Sequence, residues 1–279
     1  MKKSMIKFLC VICVCLVGCF SCKDKANENY SGELKLPTPG ASVQDENKEQ
    51  GGETTENITI DGTEASSKAD NGESEKTNEA LQQTGNKVTS SDDWKLLLVN
   101  PWNTLPEDFD VEMTKISGNH YIDSRAYEDY AEMMKAMQDE GLSPLVCSSY
   151  RTLQKQTTLY NNQVAKYKSR GYTQASAEAE AGKWVAVPGT SEHHTGLALD
   201  IVATSYQVLD ESQENTAEQK WLMKNSYKYG FILRYPSDKS DITGIYYEPW
   251  HYRYVGKEAA KEIFESGVCL EEYLASVNH

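Results

Sequence analysis

Two short stretches of this chain concentrate side chains that bind cations and move protons. The first is Ser191-Glu192-His193-His194-Thr195-Gly196-Leu197-Ala198-Leu199-Asp200. In an extended strand side chains alternate, so Leu197, Leu199 and Ile201 share one face while Gly196, Ala198 and Asp200 share the other. The first face is a core face; the second is small and ends in a carboxylate, which suits close approach by another group. His193 lies just ahead, where a turn brings its imidazole beside Asp200. The second stretch is Tyr247-Glu248-Pro249-Trp250-His251-Tyr252-Arg253-Tyr254. Glu248 and His251 have opposite parity in a flat strand. Pro249 between them donates no ladder hydrogen bond, so a bulge or kink there would aim both into one site. Imidazole and carboxylate are both good Zn2+ ligands, and a catalytic zinc takes three protein ligands, an open position and a nearby base. His193, Asp200 and His251 supply the three ligands for one Zn2+ per chain, and Glu248 is left as the base. Taken alone, each has a plainer use: Asp200 as a turn former, or Glu248 as a partner for Arg253. The set is far more specific than its members.

Such a site needs strands to carry it and helices to bury the strands. Strands are expected at Leu96–Val99, Leu145–Tyr150, Leu197–Val202, Phe231–Tyr235 and Tyr246–Val255. Helices are expected over Asp123–Asp139, from Thr152 towards Arg170, over Ala175–Trp184, over Ala217–Tyr229 with Gly230 as its stop, and over Lys257–Glu265. Tyr127, Tyr130, Met133, Met134 and Met137 recur at helical spacing and read as core. Strands and helices do not alternate strictly, so an α+β fold with a mainly antiparallel sheet and flanking helices is expected over a doubly wound parallel one.

The pattern Ser-x-His-x-x-Gly-x-Ala-x-Asp, followed about fifty residues on by Glu-Pro-Trp-His, resembles the D-alanyl-D-alanine carboxypeptidases of the VanY type. These are zinc peptidases of a group that includes LD-carboxypeptidases and VanX-type dipeptidases. Ser149-Tyr150-Arg151-Thr152 with Gln156, and Tyr229-Gly230-Phe231-Ile232-Leu233-Arg234-Tyr235-Pro236, extend the match over most of residues 94–265, with no departure at a ligand or base position. The resemblance implies a Hedgehog/DD-peptidase-like zinc peptidase domain, His193, Asp200 and His251 on zinc, and Glu248 as general base. It places Arg151 near the scissile carbonyl, where a guanidinium stabilises an oxyanion. Ser191, Gln156 and Tyr235 resemble residues that hold the terminal carboxylate and penultimate backbone. The implied activity is that of a DD-carboxypeptidase removing the C-terminal D-alanine from peptidoglycan stem pentapeptides, with an LD-carboxypeptidase acting on the tetrapeptide as the alternative. His194, at a variable position, is expected near the site without ligating; His120 and His279 are expected to be spectators.

Composition bounds the rest. The chain has 279 residues, with 28 Lys and Arg against 42 Asp and Glu, a net charge of −14 that argues against nucleic acid as partner. Lys2, Lys3 and Lys7 precede the apolar run Phe8–Val17, too short to span a bilayer, which needs roughly 20 residues. The run ends in Leu16-Val17-Gly18-Cys19, which resembles a bacterial lipobox. Residues 1–18 are thus read as a lipoprotein signal, Cys19 as the lipid-bearing residue, 19–91 as an acidic disordered tether and 92–279 as the enzyme domain. Lys23–Ser91 holds 14 acidic and 7 basic residues and a single aromatic, Tyr30, too little apolar surface to offset ordering entropy. The protein is expected outside the cytoplasmic membrane, lipid-anchored and monomeric. Cys10/Cys13 and Cys19/Cys22 have CxxC spacing but lie in or beside the signal, and Cys147 and Cys269 are too few for a disulfide framework. A catalytically silent wall-binding lipoprotein is the competing reading; its mark would be a lost ligand or base.

Overall fold

A computed structural model of the chain describes residues 93–277. The export signal, Cys19 and the tether lie outside the described residues. Within them the order is β1 (Met113–Ser117), β2 (His120–Asp123), α1 (Tyr127–Asp139), β3 (Pro144–Ser148), α2 (Leu153–Ser169), α3 (Gln174–Gly182), β4 (Ala198–Ala203), α4 (Ala217–Asn225), β5 (Phe231–Leu233), α5 (Ser240–Thr243), β6 (His251–Tyr254), α6 (Lys257–Ser266) and α7 (Leu270–Val277). The strands form an antiparallel hairpin, β1–β2, and a four-stranded antiparallel sheet ordered β3-β4-β6-β5. This is the expected α+β class.

Register is what builds the site. Asp200 pairs with His251 across β4 and β6, and Ser148 pairs with Asp200 from the other side, after a bulge at Cys147. The alternation read from the sequence holds: Leu197, Leu199 and Ile201 turn into a core with Tyr130, Met133 and Met137 of α1 and Trp221 and Leu222 of α4. Burying a side chain such as Leu199 stabilises by about 1.5–3 kcal/mol. That core fixes the opposite face, and therefore the direction in which Asp200 points. Gln219 donates to the Ile201 carbonyl and accepts from the Tyr252 hydroxyl, tying α4 to both central strands.

A second core joins Leu98, Ile232 and Val255 to α6 and α7. A third closes the α2–α3 hairpin around Val164, Tyr167, Ala177, Ala181 and Trp184. Thr152, Thr173 and Thr216 cap α2, α3 and α4 by accepting from the backbone N–H three residues on.

Several expected elements differ. Leu96–Val99 is not a strand: a 3-10 turn, Asp93–Leu96, runs into an irregular segment, and the Lys95 and Leu97 carbonyls accept from Arg253 instead of from a ladder. The helix from Ala217 stops at Asn225 and tightens to 3-10 over Ser226–Tyr229 before Gly230, whose φ is 82°. The strand expected over Tyr246–Val255 begins only at His251, because Glu248–His251 is a turn closed by the His251 N–H donating to the Glu248 carbonyl. The β1–β2 hairpin, α5 and α7 were not expected, although Leu270, Tyr273, Leu274 and Val277 of α7 recur at helical spacing. Cys147 and Cys269 are both free thiols. Among the described residues no helix is long and apolar enough to cross a membrane.

Candidate metal centre and active site

His193 stands on a buried 3-10 turn, Glu192–Thr195, between Ser191 and β4. Gly196 ends the turn at φ 73°, and a Cβ there would lie 2.7 Å from Met113 Cε and 3.0 Å from the Asp123 nitrogen. Only glycine tolerates both the conformation and the contact. His193 Nδ1 donates to the Ser149 carbonyl at 2.8 Å, which turns Nε2 towards Asp200 Oδ2, 3.3 Å away. From β6, His251 Nδ1 faces Asp200 Oδ1 at 3.1 Å and Glu248 Oε2 at 3.5 Å. The two imidazoles meet edge to face, 4.9 Å between centroids.

One ligand atom from each of His193, Asp200 and His251 falls within 4.8 Å of the others, and all three residues are buried. Asp200 Oδ1 has no hydrogen-bond partner although His251 Nδ1 lies so close. A buried carboxylate oxygen and a ring nitrogen aimed at one another can both donate to a cation once the ring gives up its proton. The nitrogen, oxygen, nitrogen donor set suits zinc, with Glu248 beside it as an unligated carboxylate.

The electrostatics agree. Burial, with Arg151 adding to it, lowers His193 to about 4, so its ring is neutral at physiological pH. Burial also presses on His251, but Asp200, Glu192 and Glu248 outweigh it and lift the ring to about 9. Burial resists ionisation of Asp200, yet His193, His251 and Arg151 hold it well below the usual carboxylate range. Glu248 goes the other way: burial above all, with Asp200 and Glu192, pushes it up to about 8. An ionised carboxylate ligand beside a carboxyl poised to exchange a proton near neutrality is what hydrolytic acid–base work needs.

Arg151 reaches the site from the loop before α2. Its Nη2 donates to Asp200 Oδ2 at 2.7 Å, Nε to Ser148 Oγ at 2.8 Å and Nη1 to Gln156 Oε1 at 3.3 Å. Gln156 is fully buried, its amide bridging Arg151 and the Ala186 carbonyl. Ser191 is buried next to His193 and does not cap the turn with its hydroxyl. The Tyr235 ring packs 4.7 Å from His251, and burial keeps its phenol protonated. His194 does not ligate: its Nε2 accepts from the Gly189 N–H, so Nδ1 carries the proton it gives to the Arg151 carbonyl at 2.7 Å.

His120, expected as a spectator, has a partner near the site. At the start of β2 its Nδ1 lies 3.2 Å from Ser149 Oγ, which also accepts from the Tyr121 N–H. It is half-buried within the field of Asp200. Its loop-like sequence hid the hairpin that brings it there. Glu248 does not pair with Arg253, whose guanidinium goes to Glu192 and to the backbone carbonyls of Lys95, Leu97 and Tyr254. Glu192, Ser148 and Ser149, given no role from the sequence, also border the site.

A buried His/Asp/His set with a carboxylate beside it, carried on an antiparallel sheet, defines a mononuclear zinc peptidase. Residues 119–257 match the family model described as VanY: D-alanyl-D-alanine carboxypeptidase. The chain is 45% identical over 203 residues to a D-alanyl-D-alanine carboxypeptidase of Enterococcus faecalis, covering 73% of this chain and 74% of the relative. Two solved VanB-type VanY structures are 48% identical. One, a D,D-pentapeptidase mutant with Zn(II), covers 65% of this chain and 99% of its own at a TM-score of 0.60. The other, with D-alanine-D-alanine, covers 65% and 98% at 0.61. The LdcB LD-carboxypeptidase is 39% identical, covering 66% of this chain and 86% of its own, at a TM-score of 0.56. This chain belongs to the VanY D-alanyl-D-alanine carboxypeptidase family.

Proposed function

We propose that this protein is a zinc-dependent peptidoglycan carboxypeptidase that removes the C-terminal D-alanine from stem peptides ending in D-Ala-D-Ala. The observation that carries the reading is the convergence of His193, Asp200 and His251 within 4.8 Å, with Glu248 Oε2 3.5 Å from His251 Nδ1. Zinc, when bound by these three residues, supplies a Lewis acid that acidifies water and polarises the scissile carbonyl. Glu248 takes the proton of the attacking water and passes it to the leaving amine. Arg151 turns its guanidinium to the carbonyl oxygen and shares the charge that develops there. Ser191, Gln156 and Tyr235 contribute to the wall that receives the terminal carboxylate and penultimate backbone. Neither Cys147 nor any serine is needed as a nucleophile; burial pushes the Cys147 thiol far above neutrality.

The enzyme works outside the cytoplasmic membrane, tethered by lipid on Cys19 after loss of residues 1–18, with 19–91 as the spacer. Supporting this are the lysines at 2, 3 and 7, the apolar run and the lipobox-like end.

The test is to incubate the zinc-loaded protein separately with stem pentapeptide and tetrapeptide and to weigh the products. Loss of one alanine from the pentapeptide alone is expected. Loss from the tetrapeptide alone would replace the DD assignment by LD, and cleavage of neither would overturn the carboxypeptidase reading. Radiolabelled palmitate incorporation, abolished by Cys19→Ser, tests the anchor.

A further inference from the structure

Beneath the site lies a buried ionic network that the mechanism does not use. Glu192 Oε1 accepts from Arg234 Nε at 2.8 Å and from Arg253 Nη1 at 2.7 Å. The remaining nitrogens of Arg234 go to Glu271 of α7, at 2.9 and 2.6 Å, and Asn100 donates to the same carboxylate. Arg253 Nη2 donates to the Lys95 and Leu97 carbonyls. All four charged side chains are 0–1% exposed, and the two arginines balance the two glutamates.

One atom stays outside this accounting. Glu192 Oε2 is buried and lacks a hydrogen-bond partner, as does His251 Nε2, and the two face each other at 3.5 Å. His251 and Arg253 alternate on one side of β6, so Glu192 meets a ligand and a clamp from the same strand. Two guanidiniums hold Oε1, which leaves Oε2 no direction but the ring. We infer that Glu192 is a positioning residue of the metal centre: Oε2 receives the Nε2–H of His251, which fixes the ring with Nδ1 towards the cation. One short turn then supplies the first ligand, His193, and the group that orients the third. A carboxylate behind a ligating imidazole sets its tautomer and raises its basicity, and losing such a partner commonly costs about 10–100-fold in metal affinity.

This inference rests on the zinc reading above, and its test separates the two. Zinc affinity is measured on the full chain by competition with a fluorescent chelator, together with the visible spectrum of the cobalt(II)-loaded protein. Glu192→Ala should weaken zinc about 10–100-fold and shift the cobalt bands. Glu192→Gln, which keeps an acceptor oxygen, should lose less. Glu271→Gln damages the same network on the side away from His251; it should lower the melting temperature and leave zinc affinity and spectrum unchanged. Wild-type affinity and spectrum in folded Glu192→Ala would overturn the role. So would an equal loss of affinity in Glu271→Gln, which would make the effect one of rigidity. Should the Glu192 variants fail to fold, long-range proton–nitrogen NMR of the unaltered zinc form decides: His251 must be protonated at Nε2 and coordinated through Nδ1, and the opposite tautomer overturns the inference. Failure of wild type to bind zinc would remove the metal reading itself, and this one with it.

Discussion

Glu248→Gln should exchange activity for stability, and both sides can be worked from the structure. Burial lifts the Glu248 carboxyl from 4.5 to about 8, with Asp200 and Glu192 adding to it against His251 and Arg151. Above pH 4.5 the unfolded chain gives up a proton that the folded chain still holds. Stability therefore falls as pH rises, at about 1.4 kcal/mol per pH unit, and by pH 7 the deficit is about 3 kcal/mol. Glutamine has nearly the same shape and no such deficit. In chelator at pH 7 the variant should melt several degrees above wild type, at roughly 2–4 °C per kcal/mol for a domain of this size. At pH 4 the difference should vanish, because wild type is then mostly protonated in both states. Turnover of zinc-loaded variant should drop about 100- to 10,000-fold, the usual worth of a general base. Zinc should be retained, since Glu248 is not one of the three converging ligands. Differential scanning calorimetry at the two pH values and product release from the pentapeptide read both. Equal melting at pH 7 would refute the burial argument, and retained turnover would refute the role of base.

Three other outcomes follow from the geometry. His251, held at about 9 by its carboxylates against burial, must release a proton to bind zinc; apparent zinc affinity should climb about tenfold per pH unit below that value, and a flat competition titration would contradict it. Arg151→Lys keeps the charge but loses the fork onto Ser148, Gln156 and Asp200; kcat should fall about 100-fold, with steady-state kinetics as the check. Gly196→Ala must accommodate φ 73° and a Cβ 3.0 Å from the Asp123 backbone nitrogen; urea unfolding should show a loss of about 2 kcal/mol or more.

Local chemistry made much of this protein legible. Alternation along Leu197–Asp200 fixed which face is core, Thr152 marked where a helix begins, and His193, Asp200, Glu248 and His251 carried metal and base chemistry in their types and spacing. These features depend on residues a few positions apart. The remainder depends on partners far apart in the chain. Asp200 meets His251 only because β4 and β6 pair in that register, and Glu248 joins them through a turn where the sequence suggested a kinked strand. His120 reaches the site because its hairpin is stitched to the Ser149 loop, by the Tyr121 N–H to Ser149 Oγ and the Tyr150 N–H to the Tyr121 carbonyl. Glu192 takes its place from Arg234 and Arg253, 42 and 61 residues on. A buried charge has no periodicity to betray its partner; desolvation forces it to find one, and only the packed fold decides which.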